Sequence, residues 1–326
     1  MLNNILISGG TGSFGKSFIK KVLVDFPECQ RLVIFSRDEL KQWEIYNNLS
    51  ERNKKRVRMF LGDIRDKERL KRALEGVDYV VHAAALKQVP AAEYNPSEFI
   101  KTNVLGTQNI VDCAIEQGVK KLIALSTDKA SAPVNLYGAS KLCADRIVIA
   151  ANNIKGSKTI KLSVVRYGNV FGSRGSVIPL FLKQKENGTL NITHKDMTRF
   201  NITLNEGIEL VINALINCNG GEIIVPKIPS YKILDVAKAI APEANIRYTG
   251  IRPGEKIHEE MITSSDSFNT YSNGKNYIIL SSGAKPISSE YSKVDEGFSY
   301  NSETNESFLS TEQIRQLVKA YKLQFQ

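Results

Sequence analysis

The sequence predicts an α/β protein: a Rossmann-like doubly wound parallel sheet joined to a smaller, discontinuous α/β portion. Three observations predict it. Short apolar runs alternate with helical patterns through residues 1–166. A glycine-rich turn links the first run to the first helix, and beyond Arg166 the alternation breaks into short strands and single helices.

The first run, Asn4-Ile5-Leu6-Ile7, enters Ser8-Gly9-Gly10-Thr11-Gly12-Ser13-Phe14-Gly15, and residues 16–23 follow with apolar side chains at helical spacing. Strand, tight turn and helix are the context of a dinucleotide-binding glycine motif. Without a β-carbon at Gly9, Gly12 and Gly15 the backbone can turn sharply, approach a pyrophosphate and pack helix on strand. Thr11, Ser13 and Phe14 then line the phosphates at the positive helix N-terminus. A turn that merely closes a strand–helix junction is the alternative.

The second run, Arg31-Leu32-Val33-Ile34-Phe35, ends about 20 residues beyond the glycines, where the adenosine ribose belongs. An acidic residue at this tip would hold both ribose hydroxyls and select NAD; Ser36 followed by Arg37 leaves room and charge for a 2′-phosphate. The expected cofactor is therefore NADP. Arg37 and Lys41 are its phosphate partners, with Asp38, Glu39 and Leu40 beside them, unless both cations are merely solvated. The third run, Val57-Arg58-Met59-Phe60-Leu61, ends in Gly62-Asp63-Ile64, where Asp63 either accepts from the adenine amino group or caps the next helix.

Residues 77–82, 121–126 and 161–166 supply three further runs of the sheet. The expected division is an NADP-binding Rossmann domain over 1–166, with a return segment over 200–222, and a substrate-binding portion over 167–199 and 223–326. The latter includes a short strand, Glu222-Ile223-Ile224-Val225, at its border and a polar stretch over 264–310. Ser310-Thr311-Glu312-Gln313 opens the last helix as a capping box.

Composition narrows the function classes. At 326 residues and 42% hydrophobic content the chain can bury one large core or two smaller ones. No apolar run approaches the roughly 18 residues of a membrane span, and the N-terminus enters a strand at once, so the expectation is a cytoplasmic protein without signal peptide or membrane partner. Cys29, Cys113, Cys143 and Cys218 lack metal-ligand spacing, and the only histidines are His82, His194 and His258, which suggests neither a disulfide framework nor a metal. The net charge of +10 is dispersed, without the aromatic-interleaved basic stripe of a nucleic-acid binder. An anionic cofactor and an anionic substrate fit it better.

The chemistry follows the run ending at Ser126. Thr127-Asp128-Lys129 precede Tyr137-x-x-x-Lys141, whose spacing puts tyrosine and lysine on one helix face. A nearby ammonium lowers the phenol pKa, making Tyr137 a general base for a hydroxyl while hydride leaves the same carbon. Thr127 can share that hydrogen bond.

With these motifs the chain resembles the extended short-chain dehydrogenase/reductase family over nearly its whole length. Residues 36–41, 82–87, 125–130, Tyr167-Gly168-Asn169-Val170 and Ile251-Arg252-Pro253-Gly254-Glu255-Lys256 resemble the inverting UDP-N-acetylglucosamine 4,6-dehydratases of pseudaminic acid synthesis. The resemblance implies NADP retained through the cycle, UDP-N-acetylglucosamine as substrate and a 6-deoxy-4-keto product inverted at C5. It also implies assembly into dimers or hexamers, and cofactor contacts at Ala83, Lys87, Leu125, Ser126 and Val170 besides Tyr137 and Lys141. Ser131-Ala132 stands where the family commonly has Ala-Asn.

Such a reaction needs a base for C5 and an acid for O6. Asp128 and Lys129 are the close pair for those roles, in a place where retaining relatives usually carry glutamate second. At its ordinary pKa lysine is neutral in about one molecule in 2,500 at pH 7, a penalty of roughly 4.6 kcal/mol. Lys129 therefore needs desolvation or like charge, which Lys141 and Lys87 are expected to supply. Lys129 staying charged to orient Asp128 or the sugar is the alternative.

Substrate contacts are expected at Asn169 and at Arg174, Gly175, Ser176, Val177 and Ile178, just past the sixth strand at the edge where such folds bind ligands. Thr198, Arg199 and Arg252 can hold a UDP pyrophosphate, Glu255 a hydroxyl, and Lys87 either ligand. Two other readings use the same fold: a retaining dehydratase or 4-epimerase, and a noncatalytic NADP-sensing module.

Overall fold

Six parallel strands form the frame of the computed structural model, which describes residues 2–323 except 174, 282, 285 and 287. They are β1 (Asn4–Ser8), β2 (Arg31–Ser36), β3 (Val57–Leu61), β4 (Tyr79–His82), β5 (Lys121–Thr127) and β6 (Lys161–Tyr167), each on an apolar run of the sequence. Consecutive residues such as Ile5, Leu6 and Ile7 are fully buried. Helices cover both faces of the sheet, so its inner strands have no solvent side on which polar residues could alternate, while β3 at the edge exposes Arg58 and Leu61.

The strands lie in the order β3-β2-β1-β4-β5-β6. The order reverses between β1 and β4, and the crevice at their carboxyl ends is where a doubly wound sheet takes its ligand. β6 is followed by β7 (Glu222–Pro226), parallel to it through Ile223↔Val164 and Ile224↔Val165. The helix Leu204–Asn217 makes the crossover.

Here the structure differs from the expected division. The whole of 223–326 was assigned to the smaller portion, yet β7 belongs to the main sheet. So do β8 (Thr270–Ser272), β9 (Asn276–Leu280) and β10 (Ser292–Lys293), which run antiparallel beyond it. The short strands β8 and β10 are polar and lie in the stretch over 264–310, whereas β9 carries the apolar run Tyr277-Ile278-Ile279-Leu280, its Ile278 and Ile279 buried between β8 and β7.

The smaller portion has its own core, in which Phe181, Leu190, Tyr231, Val236, Ile314 and Val318 meet. Its helices are Val177–Lys185, Ile233–Ile240 and Thr311–Leu323. The last of these is capped as its sequence predicts: the Ser310 N–H donates to Gln313 Oε1 at 2.8 Å and the Gln313 N–H to Ser310 Oγ at 3.2 Å. Among the described residues, no helix is long and apolar enough to cross a membrane.

A buried ion pair ties the helix Leu136–Ile154 to the sheet. Arg166 Nη2 lies 3.1 Å from Asp145 Oδ2, which also accepts from Ser126 Oγ at 2.7 Å, and Arg166 Nη1 donates to the Met261 carbonyl at 2.9 Å. Removing one partner strands a buried charge. Asp145→Ala should therefore lower the unfolding free energy by about 3–5 kcal/mol in urea titrations, and Asp145→Leu combined with Arg166→Met should cost less.

Candidate active site

The glycine turn builds an anion cradle. Gly9 adopts φ 70°, and a β-carbon on Gly15 would fall 2.4 Å from the Gly10 carbonyl, so the helix Ser13–Asp25 can begin this close to the turn only with glycine there. Gly12 is the N-cap; no side chain caps this helix and no acidic residue sits in its first turn. Its first N–H groups are left for an anion, and these residues fit the pyrophosphate of a dinucleotide.

At the tip of β2, Ser36 is buried and its Oγ accepts from Gln42 Nε2 at 3.0 Å. Arg37 is half exposed, 3.5 Å from Asp63 Oδ2. Lys41 pairs with Asp38, which also caps the helix Glu39–Asn47 by accepting the Lys41 N–H at 2.9 Å. Glu39 and Leu40 are exposed, and Ile64 is buried. Asp63 is not the cap of the next helix: Asp66 is, accepting the Arg69 N–H at 2.9 Å, while Asp63 accepts the Arg65 N–H at 2.9 Å.

A polar chain missed in the sequence supports the other wall. Thr107 Oγ1 donates to the Asn103 carbonyl at 2.6 Å, so at 3.0 Å it accepts from His82 Nε2. His82 Nδ1 must then accept from Ser8 Oγ at 2.7 Å, and Ser8 accepts the Ala84 N–H at 3.3 Å. Burial holds this imidazole neutral, with its pKa pushed down to about 3. Asn103 clamps Leu86, accepting its N–H at 2.8 Å and donating to its carbonyl at 2.9 Å, and also donates to Ser140 Oγ at 3.0 Å. The segment carrying Ala83 and Lys87 is thereby fixed beside the helix of Tyr137.

The expected catalytic residues come together. Asn135 caps the helix Leu136–Ile154 by accepting the Gly138 N–H at 2.8 Å, and a β-carbon on Gly138 would lie 2.2 Å from the Lys129 carbonyl. Glycine thus lets the turn Asp128–Ala130 sit directly against the helix start, beside Tyr137. Thr127 Oγ1 donates to Asp128 Oδ1 at 2.9 Å, and Lys129 Nζ donates to the same oxygen at 3.0 Å. Lys141 donates to the Leu125 carbonyl at 2.7 Å. Ala132, in the loop between turn and helix, has φ 41°, a left-handed conformation that asparagine accepts more readily than alanine.

A further residue enters this cluster. Glu259, 2% exposed, places Oε1 3.0 Å from Lys129 Nζ. It stands in no recognisable spacing with Asp128, and only the fold brings it there.

The electrostatics correct two expectations. Burial acts to lower the pKa of Lys129, but Asp128 and Glu259 outweigh it and hold the amine as an ammonium; Arg199 is a cation that opposes them. Burial likewise raises Tyr137, to about 12, and the influences pulling it down are Lys129 and the Thr127 hydrogen bond, not Lys141. Lys141 is itself lowered by burial.

A cleft of about 290 Å³ adjoins the cluster, lined by Lys87, Lys129, Asn169, Arg252, Glu255 and Glu259 among others. Asn169 Oδ1 accepts from Lys129 Nζ at 3.3 Å. Gly175, Ser176 and Val177 also line it, Val170 is half-buried on the same segment, and Arg174 lies outside the described residues. Three expected contacts are otherwise engaged. Ile178 is buried in the second core, and Thr198 is buried with its hydroxyl between His258 Nδ1 and Ser302 Oγ, at 2.8 and 2.7 Å. Arg199 reaches the cleft wall, but its guanidinium donates to the carbonyls of Thr198, Ile257 and Lys256 at 2.7, 2.9 and 3.0 Å and has little left for a pyrophosphate.

The polysaccharide biosynthesis protein family matches residues 5–281. A Campylobacter jejuni protein named UDP-N-acetylglucosamine 4,6-dehydratase (inverting) is 49% identical, covering 97% of each chain. A Rickettsia rickettsii protein named UDP-glucose 4-epimerase is 43% identical over 80% of this chain and 78% of its own. The X-ray structure of Pen from Bacillus thuringiensis matches with a TM-score of 0.89 at 38% identity, over 99% of this chain and 98% of that one. More distant solved chains of the same fold were captured with NAD bound.

His82 makes the cradle wall sensitive to acid. An unfolded histidine gains its proton near 6.5 and the folded one near 3, so the unfolded state binds more protons in between and stability is lost as pH falls through that window. The expected slope approaches about 1.4 kcal/mol per pH unit. His82→Gln should flatten it in denaturant titrations at several pH values.

Proposed function

The chain belongs to the polysaccharide biosynthesis protein family, and we propose that it is an NADP-dependent 4,6-dehydratase of UDP-N-acetylglucosamine that inverts C5. The observation that carries this reading is the Asp128–Lys129 pair at 3.0 Å on the turn packed beside Tyr137. A 4-epimerase, the activity named for one relative, needs a base at O4 and a rotating sugar. It has no use for a second acid–base pair beside C5 and C6.

Tyr137, once relieved of its phenolic proton, takes the O4 proton, with the Thr127 hydroxyl beside it. The glycine turn at Gly9, Gly12 and Gly15, with Arg37 beside the ribose, would hold NADP, which would supply hydride acceptance from C4 and hydride return to C6. The C4 ketone acidifies C5–H, and Lys129 Nζ, relieved of one proton, takes the C5 proton. The C6–O6 bond breaks as Asp128 protonates O6, so that water leaves. Lys129 keeps the abstracted proton, and a proton from solvent delivered to the opposite face of C5 completes inversion. The proton that Nζ must first release has Glu259 Oε1 as its acceptor at 3.0 Å, because Asp128 keeps the proton that O6 needs. Lys87, Asn169, Arg252 and Glu255 would hold the nucleotide sugar in the cleft they line. The resulting 4-keto-6-deoxy sugar is, by the resemblance, the first intermediate of pseudaminic acid synthesis.

Incubation with UDP-N-acetylglucosamine in deuterated water should give a 4-keto-6-deoxy product with deuterium at C5 and inverted geometry in proton NMR. A C4 epimer with its water retained would overturn the reading in favour of an epimerase. The preference for NADP is tested apart from turnover. Arg37→Ala should weaken NADP binding by about ten- to a hundredfold and leave NAD binding unchanged, because a charge-assisted bond to the 2′-phosphate is worth about 1.5–3 kcal/mol. Equal losses for both cofactors would remove Arg37 from that role.

A further inference from the structure

Two buried carboxylates face one ammonium in this site, and they are not equivalent. Both donors to Asp128, Thr127 Oγ1 at 2.9 Å and Lys129 Nζ at 3.0 Å, reach Oδ1, while Oδ2 is buried without a partner. Glu259 Oε2 is likewise buried without a partner, so counting oxygens does not separate the two. Arg199 does: its Nε lies 3.7 Å from Glu259 Oε1, which gives Glu259 two cations where Asp128 has a share in one. The Glu259 backbone is also fixed from both sides, its N–H donating to Ser302 Oγ at 2.9 Å and its carbonyl accepting the Ser302 N–H at 2.7 Å.

We propose that Glu259 is a positioning residue that divides the work of the Asp128–Lys129 pair. By taking the Lys129 ammonium as its own partner, it leaves Asp128 to carry the proton that O6 needs. This inference rests on the dehydratase reading for its purpose, though not for its test.

The surrounding charges agree in direction. Lys129, Glu259, Tyr137 and Tyr231 face Asp128; Lys129, Arg199 and Lys256 face Glu259. Burial raises Asp128, Lys129 opposes it and Glu259 adds to it, so the carboxyl titrates above its ordinary range. Burial would raise Glu259 too, but Lys129 and Arg199 overcome it and keep that carboxylate ionised. With one proton on Asp128, Lys129 and Glu259 cancel each other's charge. Without Glu259, Asp128 becomes the nearest counter-ion of Lys129 and gives up its proton, and the acid is lost.

The direct test is carbon-13 NMR of protein labelled at its aspartate carboxyls, without sugar. The Asp128 signal, assigned by its loss in Asp128→Asn, should titrate above the ordinary aspartate range and shift in Glu259→Gln by about tenfold or more in ionisation constant, towards lower pH. An unmoved signal in Glu259→Gln overturns the proposal. Glu259→Asp keeps the charge and should keep Asp128 above the ordinary range; an ordinary titration there overturns it too. With substrate, Glu259→Gln should lower kcat by about 10²-fold with KM within about threefold, and shift the alkaline limb of the kcat profile to lower pH. A proportional rise in KM with an unshifted profile would assign Glu259 to binding and overturn the proposal. If the wild-type protein dehydrates no sugar, the functional reading fails while the NMR titration still decides the role of Glu259.

Discussion

The ion pair between Asp145 and Arg166 is the interaction on which the site depends. Both residues are almost fully buried, and two charges taken out of water need close partners; all their buried side-chain nitrogen and oxygen atoms but Arg166 Nε have one. Those partners come from four elements: the helix that carries Tyr137 and Lys141, the end of β5 through Ser126, the end of β6 through Arg166, and the strand Glu260–Ile262 through the Met261 carbonyl. Glu259 directly precedes that strand. The contact that anchors the tyrosine helix therefore also sets where the second carboxylate arrives.

Close packing does the rest. Gly138 lets the turn Asp128–Ala130 lie against the helix start, and Asn135 joins that start to the cleft wall by donating to the Gly254 carbonyl at 2.7 Å. Lys129 is thereby held between elements far apart in sequence, with a quarter of its side chain still reaching the cleft. In a place with so little water, the charge of each neighbour decides protonation more than the intrinsic chemistry of the amine does. This is why a lysine expected to be neutralised by other lysines is held as an ammonium by two carboxylates.

Legibility followed burial. β1 to β6 were visible in the sequence because strands covered on both faces read as unbroken apolar runs, and the glycine turn and the cap at Ser310 were visible because local backbone geometry demands particular residues. β8 and β10 were hidden because they are two or three residues long and polar, while the apolar run of β9 stands inside an otherwise polar stretch. Asp63 was eligible as a cap by residue type, and the path of the chain gives that role to Asp66 instead. Arg199 looked like a pyrophosphate ligand because an arginine near a site has that chemistry; three backbone carbonyls claim it instead.

By itself the sequence determined the doubly wound frame, the cradle after β1 and the grouping of Thr127, Asp128, Lys129, Tyr137 and Lys141, because each of these is written within a single turn, strand or helix. Tertiary structure alone decided which charges face Lys129, which residue orients His82 and that Glu259 belongs to the site. Those relations join positions as far apart as 129 and 259, and no local pattern records a contact that exists only once the chain between them has folded.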